Sequence, residues 1–508
     1  MAAERFAVAV VGGGHNGLVA AAYCARAGLR TVLVERRDVI GGATLSQPIW
    51  PGYTVSVASY VCSLLDPRIV ADLDLPAFGY QAYRKDPASF TPLADGRSLL
   101  LGADDQDNAR EVRAFDERDV AGLHAFEAEA TRLGSLLFES FADPEPSFAA
   151  FDDATQATLR GSAAEFVERY VRTPVLQATL ATDGLIGTNA GPRAPGTAYV
   201  LAHHYAGRAL GVQGAWGFVR GGMGAVSAAI AGAARAHGAE VRAGVPVERI
   251  ALRDGRASCL ELRDGSVIEA DAILVSADPQ TTFLRLLERD AVPPALYAKA
   301  RDWSANGVSF KLNLALGELP NFSARPGTLE QPHHRATIHV APSIDYLQTA
   351  YSDAQTQGIS REPMLECFMQ TPTDPSLAPS GKHILSVFAQ YFPYTRSDRP
   401  WHSEDRAAIA DLIVATLARY APNIPGAIEH RQMLAPPDLE ALIGLPGGHI
   451  FHGELLPGQI YEDRFPLRTG IDGLYLCGSG THPGGCVSGF PGRRAATAAI
   501  GDLAVGVL

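Results

Sequence analysis

Phe6-Ala7-Val8-Ala9-Val10-Val11 is an unbroken apolar run that stops at Gly12. Without polar alternation, such a run predicts a strand buried on both faces. Small apolar residues continue from Leu18 to Ala27, and Gly28 stands where a left-handed helix cap belongs. Thr31 to Val34 predicts a second buried strand, ending at Glu35, so the chain opens with a βαβ unit. The texture then changes. Leu123, Phe126, Ala130, Leu133, Leu137 and Phe141 recur at steps of three and four, which predicts a long amphipathic helix. The opening style returns at Gly221, Gly222 and Gly224, which lead into a helix carrying Val226, Ile230 and Ala233. Short strands follow, set off by the hairpin dipeptides Asp254-Gly255 and Asp264-Gly265 and by the apolar run Ile273-Leu274-Val275. An alternating strand is expected over Val308 to Leu316, and from Gly470 the glycine-rich strand-turn-helix style appears once more.

The expected class is α/β. Residues 1–75, 215–290 and 470–508 would form a Rossmann-like nucleotide domain, and 76–214 with 291–469 a discontinuous α+β second domain. A length of 508 residues allows two or three domains, which accommodates this division. The net charge of −12 argues against a nucleic-acid partner, because phosphate binding needs clustered Lys and Arg. Six scattered cysteines with no C-x-x-C spacing exclude a thioredoxin-reductase type of redox disulfide and most zinc sites, so no metal is expected. Reduced thiols, and a nucleotide pattern that begins almost at the first residue, predict a cytoplasmic protein without a leader peptide. No apolar run is long enough to span a bilayer, which leaves peripheral membrane contact open.

Gly12-Gly13-Gly14-His15-Asn16-Gly17 contains G-x-G-x-x-G between a predicted strand and a predicted helix. The first glycine permits the turn, the second lets a pyrophosphate approach, and the third lets helix and strand pack closely. The helix N-terminus offers free N–H groups to phosphate. Glu35 ends the second strand, where a carboxylate can accept from ribose hydroxyls. The tail supplies a glycine-lined loop, Gly478-Ser479-Gly480-Thr481-His482-Pro483-Gly484-Gly485, then Ser488-Gly489-Phe490-Pro491-Gly492-Arg493 opening a last helix. A helix aimed at a flavin pyrimidine edge would stabilise the reduced ring, whereas an NAD enzyme has no need of such a return.

These segments, with Ala181 to Gly187, Gly211 to Gly224 and Phe310-Lys311-Leu312-Asn313, resemble the phytoene-dehydrogenase-like branch of the carotenoid oxidoreductase and flavin amine oxidase superfamily. The resemblance covers nearly the whole chain and implies a GR2-type two-domain flavoprotein with FAD. The cofactor set it implies is Gly12, Gly14, His15, Asn16, Gly17, Glu35, Arg36, Gly41, Gly42, Ala43 and Thr44 at the front. Val247 would meet the adenine through its backbone, and Gly478, Ser479, Gly485, Val487 and Ser488 would serve from the tail. Cys486 stands where relatives carry glycine, either as a tolerated small residue or as a thiol close enough to tune the flavin.

The implied chemistry is hydride transfer to flavin from an apolar small molecule across a C–C bond, with oxygen or a quinone as electron acceptor. No second G-x-G-x-x-G is present to hold NAD(P). Two alternatives remain: C–N oxidation of an amine or other small molecule, and a redox-neutral FAD-dependent isomerisation. Lys311 leads the catalytic candidates. It shares a strand face with Ser309 and Asn313, and that face is either solvated or, as in flavin amine oxidases, turned to the flavin. His452, in Gly447-Gly448-His449-Ile450-Phe451-His452-Gly453, is a second candidate as acid or base in the substrate pocket. Tyr391, Phe392, Tyr394, Trp401, Trp216 and Phe218 would suit a tunnel wall or ordinary core.

Overall fold

A computed structural model describes residues 4–505. The opening run becomes the strand Glu4–Val11, which pairs in parallel with Thr31–Val34 on one side and Val267–Val275 on the other. Glu240–Arg242 extends this sheet beyond Thr31–Val34. Val267–Val275 is long enough to take two partners on its far edge. Its start pairs with the antiparallel strand Arg256–Leu262, and its end with the tail strand Leu474–Leu476. The tail is thereby delivered to the end of the sheet where the Gly12 loop also emerges. In parallel sheets, ligands bind at these carboxyl ends.

Helices His15–Arg26, Gly224–Ala236 and Phe490–Val505 pack on one face of this sheet, through Leu18, Val19, Ala22, Val226, Ala233, Ala495 and Ala499. The small side chains let backbones approach closely, and Gly17 takes that to its limit: a Cβ there would strike the Gly12 carbonyl oxygen.

The second sheet runs in the order Ile428–Leu434, Phe310–Leu316, His383–Gln390, Met364–Phe368, Thr337–Val340, Ser89–Pro92, Ser98–Leu101. On one face Phe310, Leu312, Leu314, Leu365 and Val387 form a core with Ile409, Ile413 and Leu417 of the helix Asp405–Ala418. The other face is polar yet not solvated. Every residue of Phe310–Leu316 is buried, Lys311 and Asn313 included, which removes the solvated reading of that face. Cross-strand register sets Lys311, Phe388, Glu366 and His339 side by side in one row. Asn313, Ser386 and Phe368 form the next row. The expected long helix is Arg118–Ser140, with Leu123, Phe126, Ala130, Leu133 and Leu137 on its buried side. No described helix is long and apolar enough to cross a membrane.

Candidate active site

A cavity of about 850 Å³ lies between the carboxyl ends of the first sheet and the polar face of the second. Its front is the glycine loop. The carboxylate of Glu35 accepts from the Gly13 N–H at 2.7 Å and from the Arg37 N–H at 2.9 Å, so it orders the loop as well as bordering the cavity. Gly14 ends the loop with φ −71° and gives the helix His15–Arg26 no side-chain cap, which leaves first-turn N–H groups free for an anion. A Cβ on Gly14 would meet nothing within 4 Å. The open space above this glycine and the uncapped helix end fit a dinucleotide pyrophosphate.

Asn16 Nδ2 donates to Ser479 Oγ at 3.1 Å, joining the first motif to the tail across 463 residues. Behind both stands Arg464, fully buried without a carboxylate partner among the described residues. Its guanidinium donates to the carbonyls of Phe451, His452, Glu454, Gln459, Ser479 and Gly480. One cation thus fixes the tail loop and the His452 loop together.

The far wall is the polar row. Lys311 Nζ donates to Ser386 Oγ at 2.6 Å, Ser386 donates on to Asn313 Oδ1 at 2.6 Å, and the amine lies 3.8 Å from the centre of the Tyr60 ring. Burial holds this amine well below the ordinary lysine range, and no carboxylate among the described residues compensates it. An amine that holds its proton this weakly can act as a base. His452 has left-handed backbone (φ 55°), and its Nδ1 lies 3.4 Å from the Asp278 carboxylate. Burial, with a smaller repulsion from His452, lowers His15 to about 4, so its ring is neutral near pH 7.

Of the expected residues, Gly12, Gly14, His15, Asn16, Glu35, Arg36, Gly42, Ala43, Val247, Lys311, His452, Ser479 and Val487 line the cavity. Gly17, Gly41, Thr44, Gly478, Gly485 and Ser488 stand outside the lining. A side chain on Gly478 would collide with the Ser276 backbone, and one on Gly485 with Phe451. Thr44 Oγ1 donates to the Gly41 carbonyl at 2.8 Å and also meets Ser227. Cys486 does line the cavity, in left-handed backbone (φ 74°), with burial pushing its thiol up to about 12, so it is protonated. Trp216 lines the cavity as well, whereas Tyr391 and Phe392 are core.

The sequence reading missed Lys85, Asp183, Glu366 and His339, which line the cavity beyond Lys311. One signal was available: the chain has only four lysines, and Lys85 is one of them. Arg464 was missed too, and nothing in its neighbourhood marks it. Among the described residues no cluster of His, Cys, Asp and Glu could hold a metal.

A glycine cradle, a ribose-side acid and a returning C-terminal tail on one sheet end define the class: an FAD-dependent oxidoreductase of the Rossmann-like two-domain type. The chain belongs to the family described as flavin containing amine oxidoreductase, whose model matches residues 17–500. It is 37% identical to a mouse protein named pyridine nucleotide-disulfide oxidoreductase domain-containing protein 2, over 97% of this chain and 93% of that one. It is 26% identical to the lycopene-forming phytoene desaturase of Pseudescherichia vulneris, over 97% and 98% of the two chains. Among solved structures, cyclohexylamine oxidase from Brevibacterium oxydans superposes with a TM-score of 0.60 at 16% identity, over 98% and 99% of the two chains, and shares the fold.

Proposed function

We propose that the protein dehydrogenates a C–C bond of a largely apolar small molecule. The observation that carries this reading is the aromatic lining of the cavity shared with the glycine loop and Ser479, where Tyr60, Phe368, Phe388, Trp216 and Phe451 surround the buried amine of Lys311. Desaturation removes a hydride from one carbon and a proton from its neighbour. Bound FAD supplies the hydride acceptor, held by the Gly12–Gly17 loop, Glu35, Val247 and the Ser479 and Val487 tail. The chain supplies the proton acceptor. Lys311 takes the proton onto Nζ, and Ser386 and Asn313 hold the amine in place through their hydrogen bonds. Tyr60, Phe368, Phe388, Trp216 and Phe451 give the substrate an aromatic, water-poor surround. Oxygen or a quinone then takes the electrons, and residues 1–75, 215–290 and 470–508 serve as the flavin domain. The desaturase name of the 26% identical relative supports the C–C reading.

C–N oxidation is the second reading, favoured by the same lysine on its strand. An anaerobic titration separates the two by following loss of oxidised-flavin absorbance. Bleaching by unsaturated or cyclic hydrocarbons and ketones, but not by amines, is expected. Bleaching by amines alone would replace the proposal with amine oxidation.

A further inference from the structure

Beyond Lys311 the cavity wall carries a second set of ionisable groups for which hydride transfer has no use. Lys85, Asp183, Glu366 and His339 all line the cavity. Glu366 and His339 are register neighbours on the sheet row, with His339 Nδ1 3.5 Å from Glu366 Oε1. The Lys85 amine donates to Thr337 Oγ1 and lies 5.3 Å from the centre of the Phe368 ring, in the adjacent row.

The set is incompletely satisfied. Lys85 carries three N–H donors and uses one, on Thr337. It forms no ion pair with Glu366 or Asp183 among the described residues, although all three line one cavity. Among the described residues Glu366 has no hydrogen bond apart from the long approach of His339. Buried polar groups are almost always paired, so donors left facing a cavity mark a place where something else completes them. Burial and the neighbouring Asp183 push the Glu366 carboxyl above the ordinary range, against a smaller opposite pull from Lys85, and a carboxyl that keeps its proton can donate.

The balance of charge restricts what fits. A cationic ligand group would meet the Lys85 ammonium, and an anionic one would bring further negative charge beside Asp183, whose carboxyl burial already pushes above its ordinary range. A neutral acceptor meets no like charge and satisfies two donors at once. We propose that this end of the cavity is a carbonyl-recognition site, at which the oxygen of a ketone or amide on an otherwise apolar substrate accepts from Lys85 and Glu366. The inference rests on reading the cavity as the substrate site and adds a substrate class to it. Phe388, between Lys311 and Glu366 on the row, then supports the carbon skeleton that joins the carbonyl end to the reacting end.

Isothermal titration calorimetry of the FAD-loaded protein with four six-carbon probes tests this: hexane, 2-hexanone, hexylamine and hexanoate. The ketone should bind at least about tenfold tighter than the other three, the worth of one hydrogen bond to a charged group. Lys85→Met and Glu366→Leu should each remove about that preference. Glu366→Gln, whose amide still donates, should keep it within about threefold. Retained flavin absorbance shows that each variant is folded. Hexane binding as tightly as the ketone, tighter binding of the amine or the acid, no binding of the ketone, or a preference unchanged in Lys85→Met would overturn the proposal. A protein that prefers the ketone yet is never bleached by any substrate would keep this site and lose the dehydrogenase reading.

Discussion

The Nη2 of Arg464 donates to the carbonyl oxygen of Ser479 at 2.8 Å, from a side chain that solvent does not reach. The same nitrogen holds the His452 carbonyl at 3.2 Å, so the tail loop and the His452 loop share one anchor. Removing one partner of a buried charged network costs roughly 3–5 kcal/mol. Arg464→Met is therefore expected to lose about that much stability and to release FAD on gel filtration. Arg464→Lys, which restores the charge but not the planar fork, should recover only part of both. Chemical unfolding followed by flavin and tryptophan fluorescence would read the two effects together. An Arg464→Met protein as stable and as yellow as wild type would remove the anchor role.

Gly14 and Gly17 separate recognition from packing within one motif. Gly14 has an ordinary negative φ and open space where a Cβ would stand. Gly17 has the Gly12 carbonyl there. Gly14→Ala should fold with a melting temperature close to wild type and lose FAD affinity by about tenfold or more, since a methyl would occupy the pyrophosphate cradle. Gly17→Ala should destabilise the fold by several kcal/mol with or without FAD, as overpacking against backbone does. Equal losses of stability in both would mean that Gly14 is a packing glycine as well.

The same contrast explains how much was legible in the sequence. The front motif was readable because its parts are local: strand, glycines, helix and Glu35 fall within a few dozen residues, and each has a spacing imposed by the chain itself. The tail was readable for the same reason. The floor of the cavity was not. Glu366 sits in Met364-Leu365-Glu366-Cys367-Phe368, which reads as an ordinary strand, and its neighbours Phe388 and His339 arrive through cross-strand register. Periodicity places a residue on a face but leaves open what covers that face. That is why Lys311 could be paired with Ser309 and Asn313 yet not assigned to cavity or solvent. Gly478 and Gly485, expected to serve the cofactor, also stand where Ser276 and Phe451 leave no room for a side chain, a packing constraint that the sequence does not display.

Lys311→Met should leave FAD bound, because the lysine touches Ser386 and the Tyr60 ring and lies outside the glycine loop. Replacing a buried, half-satisfied amine by an apolar chain of similar length should leave stability unchanged or slightly raised. Loss of a positioned proton acceptor typically costs a factor of about 10²–10⁴. The rate of flavin bleaching by substrate in stopped flow under nitrogen should fall within that range, with the oxidised spectrum intact beforehand. A bleaching rate within twofold of wild type would show that Lys311 takes no proton.

His339 gives the acid sensitivity of the second sheet. Burial, reinforced by the nearby Lys85 charge, lowers its pKa from 6.5 to about 3. Between those values the unfolded chain binds a proton that the folded protein refuses. The contribution of His339 to stability is therefore complete above pH 6.5 and is lost as the pH falls toward 3. At pH 5.5, one unit below the unfolded value, the loss amounts to about 1.4 kcal/mol. His339→Asn removes the titrating group at similar size. The difference in urea midpoint between the two proteins should shift in favour of the variant by that free energy between pH 7.5 and pH 5.5. Other groups, Glu366 among them, titrate in both proteins and largely cancel from the difference. A difference that stays constant across the interval would mean that the folded protein accepts a proton at His339, and that Glu366 beside it is ionised rather than available to donate.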